Sequence, residues 1–380
     1  MKSQSFRTAS VLGILVAALG FGAVGCSLSA PTTTTKHYFA YVVNGGANTV
    51  SAYSINSSTG ALTQVSGSPF ATGTGPQGIA ADPAGKFLYV ANYGAGAGNT
   101  VSAYTINASS GALMQVTGSP FTIGPASSAP IALAVDPSGK FLYVANNAAN
   151  EVAGFIINGT SGTLGAISTS PFTGLSSPIA VAVAPSGGYL YVANSLGSSL
   201  AAYTINPTSG GLTVTGFSPV STGTSTIPNG IAITEAGTSL FVANQGGNNV
   251  LGFAVTTTTG SLIASSSPFS TVNPTLAVAT NPSGTYLYAA DGTTIDGFSI
   301  TGPGALAALS PASVAAGTGP FALAIDPTGK FLYVVNKTSN NVSGFSINSI
   351  TGALLALSGS PFTAGTGPNS IATVTTTTTP

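Results

Sequence analysis

Residues 136–146 read DPSGKFLYVAN, and near copies stand at 82–92 (DPAGKFLYVAN) and 326–336 (DPTGKFLYVVN). Each is a strand-sized apolar core between an Asp-Pro-x-Gly-Lys lead and a closing asparagine. The Tyr-Val-x-Asn part recurs more widely, at Tyr41–Asn44, Tyr89–Asn92, Tyr143–Asn146, Tyr191–Asn194, Phe241–Asn244, Tyr288–Asp291 and Tyr333–Asn336. Seven copies spaced 45 to 54 residues apart define a repeat architecture.

Each repeat holds four strand-sized pieces. In the second copy they are PQGIAADP (76–83), KFLYVAN (86–92), NTVSAYTIN (99–107) and ALMQVTGSPF (112–121). Short β-branched and aromatic runs bounded by Gly, Pro, Asn and Ser predict antiparallel hairpins. Four strands per unit, repeated radially, predict an all-β fold: a seven-bladed β-propeller of four-stranded antiparallel blades. The first Tyr-Val-x-Asn element lacks an upstream inner strand, whereas the last strand-like run, PNSIATV (368–374), has nothing after it. Pairing 368–374 with 38–44 would complete the seventh blade from both termini and remove an exposed edge. Tyr53, Tyr104, Phe155, Tyr203, Phe253, Phe298 and Phe345 recur at one register of the third strand, each preceded by Ala or Gly. That large-small alternation suits packing between blades.

The chain has 380 residues with seven Lys+Arg, seven Asp+Glu, one His, one Cys and no Trp. Charged residues make up 4%, against about a quarter in ordinary soluble domains. Without clustered Lys and Arg to neutralise phosphates, nucleic acid is not an expected partner. At the N-terminus, Lys2 and Arg7 precede the apolar run VLGILVAALGFGAV (11–24), then Gly25 and Cys26. A basic start, a short apolar stretch and small residues before a cysteine are the pattern of a lipoprotein signal peptide. The expected organisation is a signal peptide over 1–25, lipidated Cys26 with a Thr/Pro-rich tether over 26–36, a propeller over 37–376 and a Thr-rich tail over 377–380. The expected location is the cell envelope, with the membrane reached through the N-terminal lipid.

The repeats and their Gly-Pro…Ile-Ala…Asp-Pro-x-Gly-Lys leads resemble the YVTN-repeat and lactonase-type seven-bladed propellers, which include 6-phosphogluconolactonase-like enzymes. The resemblance spans about residues 37–376 and implies the propeller fold. It also implies an inner strand opening Gly-Pro-Arg-His and an Asn-Glu after one Tyr-Val element, groups suited to an anionic lactone. This chain departs from both. Its positions read Gln77-Gly78, Ile131-Ala132, Ile179-Ala180, Asn229-Gly230, Leu276-Ala277, Phe321-Ala322 and Asn369-Ser370. The residues after the motif asparagine are Gly45, Tyr93, Asn147, Ser195, Gln245, Gly292 and Lys337. The single histidine, His37, precedes the first expected strand, and the single arginine is Arg7.

Asp82, Asp136 and Asp326 open turns in which Asp can accept backbone hydrogen bonds and Pro presets φ. Ala184, Thr234 and Asn281 take the same place in other repeats. Glu151, Asp291 and Asp296 read as solvated loop acids, with a weak cation site at Asp291 as the sharper alternative. Lys86, Lys140 and Lys330 are expected in solvent. No serine has a partner histidine to activate it, and no catalytic residue or cofactor is assigned. The expected function is a cell-envelope binding, adhesion or scaffold module. Gln77, Asn229 and Asn369 would meet a carbohydrate, peptide or envelope-protein ligand at the channel mouth. The alternative is a hydrolase of an uncharged lactone.

Overall fold

The computed structural model describes residues 34–94, 99–124, 128–265 and 268–379. The expected signal peptide, Cys26 and most of the tether lie outside them. Seven antiparallel sheets make up the chain, six of them with the strands of their main path in sequence order from inner to outer. Blade two shows the plan: Pro76–Ala81, Phe87–Asn92, Thr100–Ile106, then Leu113–Gln115. Blade one draws on both ends. Its inner strand, Pro368–Thr378, pairs antiparallel with Thr35–Asn44, with Phe39 opposite Val374 and Tyr41 opposite Ala372. The closure expected from 368–374 is therefore present. The pairing starts at Thr35 opposite Thr378, so the strands run two residues past both expected ends of the propeller. His37 is not ahead of this strand but within it, its Nε2 3.2 Å from Thr378 Oγ1.

The second strands carry most of the largest fully buried side chains. Phe87–Asn92, Phe141–Asn146 and Phe331–Asn336 are buried along their whole length. A strand covered on both faces needs an apolar run rather than alternation, which is why FLYVAN is nearly continuous in character. The fourth expected piece departs from the expectation of one strand. Leu113–Gln115 and Phe121–Thr122 are separate, and both pair with the third strand. Gly118 and Pro120 interrupt the ladder between them, and Ser119 Oγ accepts from Ala103 N at 2.9 Å. Ser68, Ser170, Ser218 and Ser360 do the same in their blades.

The motif tyrosine joins neighbouring blades. Tyr41 Oη donates to Gly111 O at 2.9 Å, Tyr89 to Gly162 O at 3.1 Å and Tyr143 to Gly210 O at 2.8 Å. Tyr191, Tyr288 and Tyr333 continue the ring to Gly260, Gly352 and Gly60. Each acceptor is a turn glycine in the next blade. Gly111 has φ +73°, and a Cβ there would lie 2.4 Å from the Phe39 ring. Only glycine gives both the left-handed backbone and the room. Blade five carries Phe241, and there Gly304 N donates to Ser239 Oγ at 3.0 Å instead. The third-strand aromatics are buried between blades as expected. Tyr104 Oη donates back to Ala71 O in blade one, and burial pushes its phenol up to about 12, partly offset by Ser102.

The Asp-Pro turns are held by their aspartates. Asp136 Oδ1 accepts from Lys140 N and Phe141 N, each at 2.7 Å, while Oδ2 accepts from Ser138. Thr234 Oγ1 accepts from Ser239 N, and Asn281 Oδ1 from Thr285 N and Tyr286 N. Those residues hold the same turn in other blades, which accounts for their interchange.

The reading of Glu151, Asp291 and Asp296 as solvated is corrected. They are 7%, 0% and 4% exposed, and Glu151 and Asp296 lie within the third strands Glu151–Ile157 and Thr294–Gly302 of their blades. Glu151 accepts from Asn146 Nδ2 at 2.9 Å. Asp291 Oδ1 takes four donors from Thr293 and Thr294, and its Oδ2 takes Asn273 Nδ2. Its oxygens thus meet hydrogen-bond donors. No group of three or more metal-ligating side chains occurs among the described residues.

Candidate functional site

The inner strands run down the channel, most of them from an opening proline, so the residue after that proline, and Leu276 in blade six, stands at the mouth. Each blade supplies one: Gln77, Ile131, Ile179, Asn229, Leu276, Phe321 and Asn369. Below them come Gly, Ala or Ser and then an apolar residue, giving a neutral wall around a cavity of about 280 Å³. The sequence-assigned residues Gln77, Asn229 and Asn369 all line this one cavity.

Their environments differ. Asn369, 6% exposed, donates through Nδ2 to Gln77 Oε1 at 3.0 Å and to Pro76 O at 3.1 Å. Gly45 makes room for it, since a Cβ there would lie 2.6 Å from Asn369 Nδ2. The buried Asn369 Oδ1 has no hydrogen-bond partner, an unusual state for a buried acceptor. Asn229, on another part of the wall, donates to Leu276 O at 3.0 Å. Gln77 and Asn369 are thus one polar unit and Asn229 a second.

A further feature was not drawn from the sequence. Lys337 Nζ lies 4.2 Å from the centroid of the Phe321 ring, a cation–π arrangement on the outside of a wall residue. Lys337 follows the motif asparagine of blade seven, where the lactonase pattern carries a glutamate in one blade. The position was legible, but the contact with the inner strand of its own blade was not. Asn147 and Ser195, at the same position in blades three and four, make hydrogen bonds around the start of the blade-four inner strand instead. Asn147 Nδ2 donates to Ser177 Oγ and Pro178 O, and Ser195 Oγ to Ser177 O.

A family model described as "Lactonase, 7-bladed beta-propeller" matches residues 32–174, 166–278 and 267–367. The chain belongs to this lactonase family of seven-bladed propellers. Solved structures agree on the fold. A candidate 6-phosphogluconolactonase from Bacteroides fragilis superposes with TM-score 0.78 at 21% identity, covering 89% of this chain and 98% of its own. One from Bacteroides uniformis gives 0.77 at 17%, covering 89% and 99%. The periplasmic gluconolactonase of Pseudomonas aeruginosa gives 0.75 at 17%, covering 90% and 99%. No curated protein matches the chain. The lactonase-family propeller described here therefore shares a scaffold with these proteins.

Proposed function

We propose that this lactonase-family propeller binds a small uncharged polyhydroxy ring, a sugar or sugar lactone, at the channel mouth without hydrolysing it. The observation that carries the reading is the wall: Gln77, Asn229 and Asn369 are its neutral polar groups, and the other mouth residues are apolar. Neutral amides pair with hydroxyls at no cost of desolvating a charge. Lactone hydrolysis asks more: a base to activate water and donors for the developing oxyanion. The cavity volume lies near the lower end of the ~300–1,000 Å³ common for ligand pockets, which suits one ring rather than a chain.

The same proposal keeps the protein outside the cytoplasmic membrane, held by a lipid on Cys26; its support is the basic start, apolar run and single cysteine of the N-terminus. A second reading, hydrolysis of an uncharged lactone at the same mouth, is favoured by membership of the lactonase family.

Calorimetric titration with a panel of uncharged sugars and lactones, run beside acid release in a pH-stat, tests the proposal. Binding should weaken roughly 3- to 30-fold in Asn369→Ala, which removes one or two hydrogen bonds of about 0.5–1.5 kcal/mol each, with no acid release above the buffer. Acid release that disappears in Asn369→Ala would establish the second reading. Binding untouched by Gln77→Ala, Asn229→Ala and Asn369→Ala would refute the site.

A further inference from the structure

Each blade turns from its first to its second strand on the face opposite the channel mouth. These turns touch one another around that face. A Cβ on Gly139 would lie 3.8 Å from Pro83, one on Gly187 4.0 Å from Pro137, and one on Gly329 3.3 Å from Pro282. The residue that closes each turn is Lys86 in blade two, Lys140 in blade three and Lys330 in blade seven, all exposed. Blade one adds exposed Lys36, at the foot of Thr35–Asn44, the strand that enters from this same face. The foot of this strand pair lies over blade two, with Thr375 O 2.4 Å from the place of a Cβ on Gly85. Blades seven, one, two and three are consecutive in the ring, so the four lysines form one arc. The other three blades place Gly188, Thr238 and Thr285 there.

The acids that would neutralise this arc point inward. Asp82, Asp136 and Asp326 are 7%, 4% and 1% exposed, their oxygens held by turn amides. A partner approaching this face meets the exposed ammonium groups first and the buried carboxylates behind them. Glu235, the exposed acid, sits in the blade-five turn, away from the arc. The mouth face has Lys337 as its exposed charge among the described residues.

We infer that this arc docks the propeller, mouth outward, on an anionic lipid surface. Charge complementarity is one argument, since several lysines next to a membrane-proximal segment suit acidic headgroups. Where the chain leaves the structure is the other. The described residues begin at Thr34, on the arc's face, beside Lys36. Cys26 is eight residues away, a reach of about 30 Å at most. Were Cys26 lipidated as proposed above, this face would be held near the bilayer. The arc does not depend on the lipid, and its test is separate.

The full chain carrying Cys26→Ser, so that no acyl group contributes, is sedimented with vesicles of phosphatidylcholine alone or with 30% phosphatidylglycerol (about 7:3). Preference for the anionic vesicles is expected, disappearing in high salt. It should fall roughly tenfold or more in the triple variant Lys86→Gln, Lys140→Gln, Lys330→Gln, each lysine being worth up to about fivefold. Lys337→Gln should stay within about twofold of the parent, since screened charges on the far face feel little of the surface. Circular dichroism verifies that the exposed substitutions leave the fold intact. An anionic preference unchanged in the triple variant, or lost equally in Lys337→Gln, would overturn the inference. So would tighter binding of duplex DNA through the same lysines. Palmitate labelling lost in Cys26→Ser tests the anchor independently, so either reading can fail alone.

Discussion

At the residue scale, the tyrosine of the repeated motif is a joint between blades, and its hydroxyl is the working atom. Tyr143→Phe leaves Gly210 O buried without its donor, and should lower stability by about 1–3 kcal/mol in guanidinium unfolding. A loss under about 0.5 kcal/mol would contradict this role. Phe241 is the natural exception. Its partner turn is tied through Gly304 N, and the Gly304 carbonyl packs within 2.0 Å of the place a Cβ on Gly252 would take. Asp296 offers a second residue-scale test. Burial raises its carboxyl above the usual range, the Ser313 hydroxyl partly offsets this, and the Asp291 charge adds to the rise. The folded state therefore holds the proton more tightly than the unfolded chain, so Asp296 costs stability as pH climbs from the unfolded value through the folded one. Asp296→Asn should raise the melting temperature by about 1–3 °C at pH 8 and give no gain at about pH 4 or below. Equal gains at both pH values would contradict the sign. Asp291 behaves oppositely: burial alone would raise it, but the Thr294 and Thr293 amides and the Asn273 and Thr294 side chains hold it below the usual carboxylate range.

At the element scale, the strand Pro368–Thr378 is what closes the ring. It brings Ile371 and Val374 into the two cores flanking blade one and covers the edge of Thr35–Asn44. Removing 368–380 should leave that edge as a pairing template and turn the monomer into oligomers or aggregate in size-exclusion chromatography. A soluble, monodisperse truncated monomer would argue against the closure. This strand was legible because a repeat missing its first piece and a surplus first piece stand at opposite ends of the chain. The inner three strands of each blade were legible for the same local reason: their patterns lie within one repeat. The division of the outer strand was not, since GSPF shows a turn without showing that both flanks return to one third strand. Nor was the Tyr–Gly ring, whose partners lie in different repeats, 70 residues apart for Tyr41 and Gly111. The acids misled for a related reason. Short polar stretches around Glu151, Asp291 and Asp296 look like loops in isolation, and the groups that meet the last two lie elsewhere in the chain, Asn273 for Asp291 and Ser313 for Asp296.

At the scale of the whole molecule, charge and polarity are segregated. Among the described residues the acids other than Glu235 are turned inward to cap turns and loops, while the lysines stay outside. The candidate site was half legible. Counting from each inner-strand proline located Gln77, Asn229 and Asn369, but the bond between Asn369 and Gln77 joins blade one to blade two and belongs to the closed ring alone.

The division of duties inside a repeat has one more consequence. The tyrosines, turn glycines and capping aspartates that fix each blade all lie away from the seven residues around the opening. The apolar ones among them, Ile131, Ile179, Leu276 and Phe321, can therefore be exchanged with little burden on folding, whereas Asn369 with Gln77, and Asn229, also tie neighbouring blades. The opening behaves as a panel of addresses, on which new specificity can be written without redesigning the scaffold that carries it.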